Sequence, residues 1–365
     1  MTIRCTGSRW FLGALLTCIL SVTCGGCGDN GNDHSIITTL AVRQTNLIAD
    51  GAEPAAVIDP NLVNAWGLVA GPTTPWWIAD NGTGRSTLYN VSTGTIPSIG
   101  TVPGAGGQQG TPTGIVFNGG TGFVLSGGST PARFIFASED GTISGFRGGT
   151  VTILAVDNSA SGAVYKGLAI DSPTAGTLLY ATNFRTGTVD VFDSHFNPVH
   201  LPGAFTDPAL PGGYAPFGIQ NVDGTLYVTY AKQDDQKHDD VSGAGNGFVD
   251  VFNTNGSLIR RFASRGPLNS PWGLVRTPAG FGSLGNTILV GNFGDGHIHA
   301  FDPASGIFVG QLTDGNTPIT IDGLWALSFG NGGNAGDVNT LFFTAGPNDE
   351  MHGLFGMLQP VAGPM

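Results

Sequence analysis

Ser270-Pro271-Trp272-Gly273-Leu274 opens the clearest copy of a sequence unit that recurs along the chain, and the copy continues with Ile288-Leu289-Val290-Gly291-Asn292 and His297-Ile298-His299-Ala300-Phe301-Asp302. The unit combines an inner segment that opens at a glycine, an apolar segment, and an alternating segment. Successive glycines are 47, 53, 51, 55 and 50 residues apart, at Gly67, Gly114, Gly167, Gly218, Gly273 and Gly323. Four-stranded propeller blades commonly run about 40–50 residues. The spacing therefore predicts an all-β protein, a six-bladed β-propeller with four-stranded blades.

The sixth copy is one strand short, because few residues follow Gly356. Residues 38–48 precede the first copy and have the composition of a strand. We expect this N-terminal strand to pair onto the last blade and close the ring, since closure removes exposed sheet edges. Residues 38–365 are then a single propeller domain.

Composition and charge exclude several classes of protein. The 60 glycines have no collagen period, and the 40% apolar content with 22 Phe argues against disorder. The formal net charge is −12, and the chain has no visible basic patch. Because nucleic-acid binding depends on such patches, we expect no nucleic-acid partner.

The first 27 residues read as a targeting leader. Arg4 and Arg9 precede an apolar run, 10–22, that is too short to span a bilayer comfortably. Small residues before Cys27, or alternatively before Cys24, resemble a lipoprotein processing site, and a plain cleaved signal peptide stays open. Residues 28–37 read as a flexible tether. We expect an exported monomer that is lipid-anchored in the cell envelope, or is periplasmic or extracellular, and that contacts membrane only through the anchor.

The repeats resemble NHL-type repeats, and the chain more closely resembles an uncharacterised family of bacterial exported propellers. The residues that carry this resemblance include Asp59-Pro60-Asn61-Leu62-Val63-Asn64, Val164-Tyr165-Lys166-Gly167-Leu168-Ala169, Gly213-Tyr214-Ala215-Pro216-Phe217 and Thr344-Ala345-Gly346-Pro347-Asn348-Asp349-Glu350. The resemblance covers about residues 38–357. It implies the six-bladed fold and export, and it implies no particular reaction.

Candidate ligand-binding residues are those that directly precede the repeat glycines or end the second segments. They are Trp66, Lys166, Phe217, Trp272, Asp322, Asn183 and Asn292. The aromatic members have two interpretations, as stacking surfaces for a sugar or as packing between blades. Both readings stay open at this point.

Candidate metal ligands cluster in the long insertion of the fourth copy and at one inner position. They are Asp234, Asp235, His238, Asp239, Asp240 and Asp322. Carboxylates and a histidine suit Ca²⁺ or a transition metal, although a solvated acidic loop explains the same residues. His297 and His299 share one strand face, with His352 in the matching loop of the sixth copy, so a second metal site or a structural role is open.

Three functions compete. A cell-envelope or secreted binding propeller, with its ligand site on an acidic loop face, is the leading hypothesis; its partner is an unknown glycan, small molecule or protein. A metal-dependent hydrolase or lactonase at the axis is the first alternative, with Ca²⁺ as the candidate cofactor. Lys166 at an inner position would repel a cation and weighs against it. A structural surface protein is the second alternative.

Overall fold

The structure is a computed structural model that describes residues 38–91, 93–171 and 177–361. The predicted leader, the tether, and the cysteines Cys24 and Cys27 lie outside the described residues. Across the described ranges, no helix has the length and apolar character needed to cross a membrane.

The described residues form short strands and four 3-10 helices. The helices are Asn81–Thr83, Ala105–Gly107, Ser159–Ser161 and Gly282–Leu284. In chain order the strands are β1 (Thr38–Ala49), β2 (Val57–Ile58), β3 (Ala65–Val69), β4 (Trp76–Asp80), β5 (Arg85–Asn90), β6 (Gly94–Thr101), β7 (Pro112–Phe117), β8 (Phe134–Ser138), β9 (Thr142–Phe146), β10 (Ile153–Asp157), β11 (Tyr165–Ile170), β12 (Leu179–Asn183), β13 (Thr188–Phe192), β14 (Pro198–Val199), β15 (Tyr214–Val222), β16 (Thr225–Lys232), β17 (Gly247–Asn253), β18 (Leu258–Ser264), β19 (Pro271–Arg276), β20 (Ile288–Asn292), β21 (Ile298–Phe301), β22 (Phe308–Thr313), β23 (Leu324–Phe329), β24 (Leu341–Ala345) and β25 (Leu354–Pro360).

Consecutive strands pair antiparallel into small sheets, as a repeat of hairpins requires. The first four copies of the repeat form four-stranded sheets, β3-β4-β5-β6, β7-β8-β9-β10, β11-β12-β13-β14 and β15-β16-β17-β18. The remaining strands form a nine-stranded sheet in the order β19-β20-β21-β22-β1-β25-β24-β23, with β2 beside β1. The all-β prediction is confirmed.

Strand β1 joins the fifth and sixth copies. Its residues 42–49 pair antiparallel with β25, as predicted for the N-terminal strand. Its residues 38–41 also pair in parallel with 310–313 of β22, a contact for which the sequence has no signal. One part of β1 therefore pairs with the fifth copy and the rest pairs with the sixth, so β1 links the two sheets.

The first strands of the copies contact one another in chain order, and β23 contacts β3. Glycine permits this approach: a Cβ on Gly67 would lie 2.4 Å from the Thr113 carbonyl oxygen, and one on Gly273 would lie 2.4 Å from that of Trp325. Real side chains do not tolerate such distances, so the recurring glycine is a packing requirement.

The apolar core lies between neighbouring sheets. In one such layer, Ile135 from β8 and Leu168 from β11 pack with Phe192 from β13, and all are buried. Each such side chain contributes about 1.5–3 kcal/mol when it is fully removed from water. These layers hold the sheets rigidly, so loops at the sheet ends can carry polar groups in fixed positions.

Candidate functional site

Aromatic side chains fill the centre of the molecule, where the first strands meet. Trp325 stacks on Trp66, with ring centroids 3.6 Å apart, and on Phe293, at 4.0 Å. The full set, called the aromatic cluster below, is Trp66, Phe184, Phe217, Trp272, Phe293 and Trp325. Trp66 and Phe217 are 1% and 0% exposed. Both therefore pack on other rings, and neither offers a free face to a ligand.

A narrow channel lies beside the aromatic cluster. It is lined by Trp272 and by inner-strand backbone that includes Gly67, Gly114, Gly218 and Gly273, and its volume is about 40 Å³. That volume suits one or a few water molecules, not a sugar. A sugar-sized ligand at the axis therefore needs space outside this channel.

Lys166 lies next to Trp66 and Phe184 of the aromatic cluster. Its side chain, from β11, is 2% exposed, and Nζ donates to Glu139 Oε1 and, at 3.1 Å, to Asp239 Oδ1. Nζ also lies 5.1 Å from the centre of the Trp66 ring, within cation–π range. Burial opposes the charged form, but the two carboxylates outweigh that effect and raise the pKa of Lys166 above its usual value.

Two asparagines extend the network from Lys166 across the axis. Asn81 Nδ2 donates to Glu139 Oε2 at 2.7 Å, and Asn64 Nδ2 donates to Glu350 Oε2 at 2.5 Å. Asn64 Oδ1 accepts a hydrogen bond from Trp325 Nε1 at 3.0 Å. These bonds tie the network to the aromatic cluster beneath it, so its geometry is preorganised.

Glu350 reaches the network through a left-handed turn. Asn348, Asp349 and Glu350 have φ values of 58°, 52° and 62°. Such a conformation costs about 1–3 kcal/mol for a residue such as Glu, and it persists where the surrounding structure requires it. Burial, reinforced by the charges of Glu139 and Asp239, raises the pKa of Glu350. The chain thus holds a strained, partly desolvated carboxyl at the axis.

His238 and Asp239 are the exposed members of the network, with side chains 40% and 65% exposed. His238 Nδ1 lies 2.9 Å from Asp239 Oδ1. That contact raises the pKa of His238, and together with the Lys166 charge it holds the pKa of Asp239 below its usual value. Gln233 anchors their loop by donating to the Phe184 carbonyl at 2.5 Å. The complete network, called the axial polar cluster below, is Asn64, Asn81, Glu139, Lys166, His238, Asp239 and Glu350.

The acidic insertion does not act as one ligand set. Only His238 and Asp239 converge, and they do so with Glu139 of the second copy, with ligand atoms within 4.8 Å of one another. Asp234 instead accepts the His238 backbone N–H at 2.8 Å. Asp235 is exposed, and burial raises the pKa of Asp240. Of the acidic residues in this insertion, some support the loop and others belong to the site.

The remaining predicted residues lie outside the axial polar cluster. Asp322 is exposed and accepts a hydrogen bond from the Asn348 backbone N–H at 2.8 Å. Among the described residues, no group of three or more potential metal ligands includes Asp322. Asn183 is buried and donates to Asp190 at 3.0 Å, which supports a loop. Asp322 therefore contacts the turn that carries Glu350, whereas Lys166 contacts Glu139 and Asp239.

A second group of potential ligands lies in the fifth copy and is called the His–Asp group: Asp295, His297 and His299. Burial lowers the pKa of His299 to about 4, so its ring is neutral at physiological pH. His352 is not part of this group, because its Nδ1 contacts Asp50 Oδ2 at 2.7 Å. Asn292 donates to Asp295 Oδ1 at 3.1 Å and so supports the group.

Sequence reasoning places Glu139, Glu350, Asn64 and Asn81 on the acidic loop face, but it does not select them as site residues. Each follows or precedes a strand in its own copy, among many loop residues of similar type. The sequence signal for these residues is their position in the repeat, because loops at equivalent positions in different copies converge on the same axis. Selecting among those loops requires the folded ring.

No protein-family model matches the chain. The chain is 34% identical over 325 residues to "Uncharacterized protein R648" of Acanthamoeba polyphaga mimivirus, covering 86% of this chain and 78% of the relative. It is also 34% identical to "Uncharacterized protein L690" of the same virus, over 86% of this chain and 84% of the relative. These relatives are viral, so they do not support the bacterial origin that the resemblance implies.

Solved structures with the same fold are β-propellers. Virginiamycin B lyase from Staphylococcus aureus matches with a TM-score of 0.51 at 11% identity, covering 88% of this chain and all of that chain. A glucose dehydrogenase matches with a TM-score of 0.53 at 13% identity, covering 83% of this chain and 98% of that chain. Identities this low establish the β-propeller fold and nothing about activity.

Proposed function

The chain belongs to the family of the mimivirus proteins R648 and L690, and from its own residues we propose that it is a binding propeller whose ligand site is the axial polar cluster. The observation that carries the proposal is convergence. Side chains from the first, second, third, fourth and sixth copies meet in one hydrogen-bonded network over a rigid aromatic base. Fixed polar groups on a rigid base are what selective binding requires.

The ligand class follows from the charges. Glu139, Asp239 and Glu350 outnumber the one buried ammonium, and the exposed members are the Asp239 carboxylate and the His238 imidazole. Carboxylates accept hydrogen bonds and attract positive charge. We therefore propose a small ligand that carries an amine or several hydroxyl groups, as an amino sugar does.

The test is a panel of amines, sugars and amino sugars, ranked by thermal shift and then titrated by calorimetry. Asp239→Asn removes the exposed charge and should weaken binding of any hit by at least about tenfold, since a charged hydrogen bond contributes about 1.5–3 kcal/mol. Asp235→Asn is the matched control, because it makes the same change at an exposed loop position outside the cluster. Equal binding by both variants would place the site elsewhere.

A metal-dependent hydrolase or lactonase at the same place is the second candidate. Glu139, His238 and Asp239 favour it, because their ligand atoms lie within 4.8 Å of one another. Lys166 weighs against it, since its ammonium already neutralises two of these acids. Metal analysis after dialysis, followed by a lactone and ester screen, decides: Ca²⁺ held by wild type and lost in Glu139→Gln would favour the hydrolase. Absence of any ligand or metal would favour a structural surface protein.

We also propose six blades, an exported location and a monomeric state. Six repeat glycines and six inner strands in mutual contact support the blade number. The charged start, apolar run and small residues before Cys27 or Cys24 support export with a lipid anchor. Mass spectrometry of the protein purified from membranes would reveal lipidated Cys27 or Cys24, and light scattering would give the oligomeric state.

A further inference from the structure

The His–Asp group lies in the turn between β20 and β21 and on β21 itself, and it shares no residue with the axial polar cluster. His297 directly precedes β21 and His299 lies within it, and the centroids of their rings are 6.0 Å apart. Asp295, two residues earlier, lies with its Oδ1 3.7 Å from His297 Nδ1. One ligand atom from each of the three residues lies within 4.8 Å of the others, the spacing of ligands around one ion.

Neighbouring amides hold the carboxylate in place. Asp295 Oδ1 accepts from Asn292 Nδ2 and from the His297 backbone N–H, each at 3.1 Å. Asp295 Oδ2 accepts from Asn269 Nδ2 at 3.1 Å. Outer hydrogen bonds of this kind orient the carboxylate ligands of metal sites. The carboxylate is therefore positioned before any ion arrives.

Two buried polar atoms beside this carboxylate lack a partner. His299 is 5% exposed, and its Nδ1 has no hydrogen-bond partner among the residues that the structure describes. The Oδ1 atom of Asn292, which is 0% exposed, has none within that same part of the chain. Buried polar atoms in native proteins are normally paired with protein groups, ordered water or an ion, and an ion bound here would give these atoms a partner.

We propose that Asp295, His297 and His299 bind a divalent transition-metal ion of the Zn²⁺ type. Two imidazoles and one carboxylate suit zinc and its neighbours, whereas Ca²⁺ and Mg²⁺ prefer sites built from oxygen alone. Asp295 and His297 are about one-third exposed, at 32% and 33%. Three protein ligands at a partly open position leave a coordination place for water or an external ligand.

The experiment uses the full chain with its four cysteines alkylated, because thiolates also bind zinc. After EDTA treatment and dialysis, Zn²⁺ is titrated by calorimetry and by competition with a chromophoric chelator, with Ca²⁺ in parallel. Co²⁺ is added separately, since its visible absorption reports tetrahedral binding. We expect one Zn²⁺ site, no matching Ca²⁺ site, and a Co²⁺ band that Zn²⁺ abolishes.

Variants assign the ion to its residues. His297→Asn should lose more affinity than Asn269→Ala, which should lose about 10–100-fold as an outer-shell change. His195→Asn is the matched control, because that side chain is 80% exposed and outside every ligand group of the described residues. Circular dichroism checks that each variant folds.

Each result decides the assignment. Unchanged Zn²⁺ affinity in His297→Asn, or no Zn²⁺ binding by wild type at tens of micromolar, would overturn it. Loss of Zn²⁺ in His238→Asn with full binding in His297→Asn would move the ion to the axial polar cluster and would also overturn it. Amine or sugar binding that survives His297→Asn would leave the proposed axial function standing by itself.

Discussion

Replacing Lys166 by Met is the sharpest test of the axial polar cluster. Methionine keeps most of the volume of the side chain and its contact with Trp66, but it removes the ammonium. Glu139, which is 12% exposed, then keeps only the Asn81 hydrogen bond, while Asp239, at 65%, is rehydrated. The variant therefore leaves one buried carboxylate without its main partner.

The magnitude follows from that asymmetry. Removing one partner of a buried ion pair costs about 3–5 kcal/mol, chiefly from the charge left behind. Because Asp239 regains water and Glu139 keeps one donor, we expect the lower end, about 3 kcal/mol of unfolding free energy. Lost attraction to the Trp66 ring, 5.1 Å away, adds about 0.5–2 kcal/mol at most.

Urea unfolding followed by tryptophan fluorescence measures this free energy. Lys232→Met is the matched control, since Lys232 is exposed at the end of β16 and should change stability by less than about 0.5 kcal/mol. The double variant Lys166→Met/Glu139→Met should recover part of the loss, because the carboxylate that lost its partner is also removed. Equal stability of wild type and Lys166→Met would refute the view that the Lys166 ion pair organises the axis.

Three further predictions concern pH, packing and ring closure. The pKa of Glu350 is raised in the folded state, so folding favours its protonated form. The contribution of Glu350 to stability therefore falls as the pH rises above the pKa of this group in the unfolded chain. In urea titrations at each pH between 4 and 7, Glu350→Gln should gain unfolding free energy relative to wild type. Gly273→Ala should lower stability by about 1–3 kcal/mol, because its Cβ would lie 2.4 Å from the Trp325 carbonyl oxygen. Gly212→Ala should leave stability unchanged, because a Cβ there would meet open space. Equal melting temperatures of the two variants in thermal melts would contradict the packing argument. Leu40→Ala should cost about 2–5 kcal/mol of unfolding free energy, because Leu40 of β1 is buried in the core that β1 shares with neighbouring strands. Arg43→Ala should cost little, because Arg43 is exposed. A small loss for both variants in urea unfolding would mean that β1 does not close the ring.

The acidic insertion illustrates the limit of reading function along the chain. Sequence spacing groups Asp234, Asp235 and Asp239 as one potential ligand set, but the loop turns so that Asp234 supports the backbone and only Asp239 reaches Lys166. Neighbours in a loop project in directions set by its turns, and composition carries no information on those directions.

The predicted aromatic residues show a related limit. Sequence reasoning places Trp66, Phe217 and Trp272 at equivalent positions, and the structure does bring them together. Equivalence does not decide exposure, however. The rings meet Trp325 and Phe293 and bury one another, because facing inner strands leave too little space at the axis for both rings and ligand.

The sequence by itself determined the repeat, the short strands, the glycines at the first strand of each copy, and the pairing of β1 with the last copy. These features depend on residues close in the chain or on a pattern that recurs, so they can be read locally. Only the tertiary structure decided that Glu139, Lys166 and Asp239 share one ion-pair network. They belong to different copies of the repeat, and their loops meet only because close-packed sheets hold the ring at a set radius and orientation.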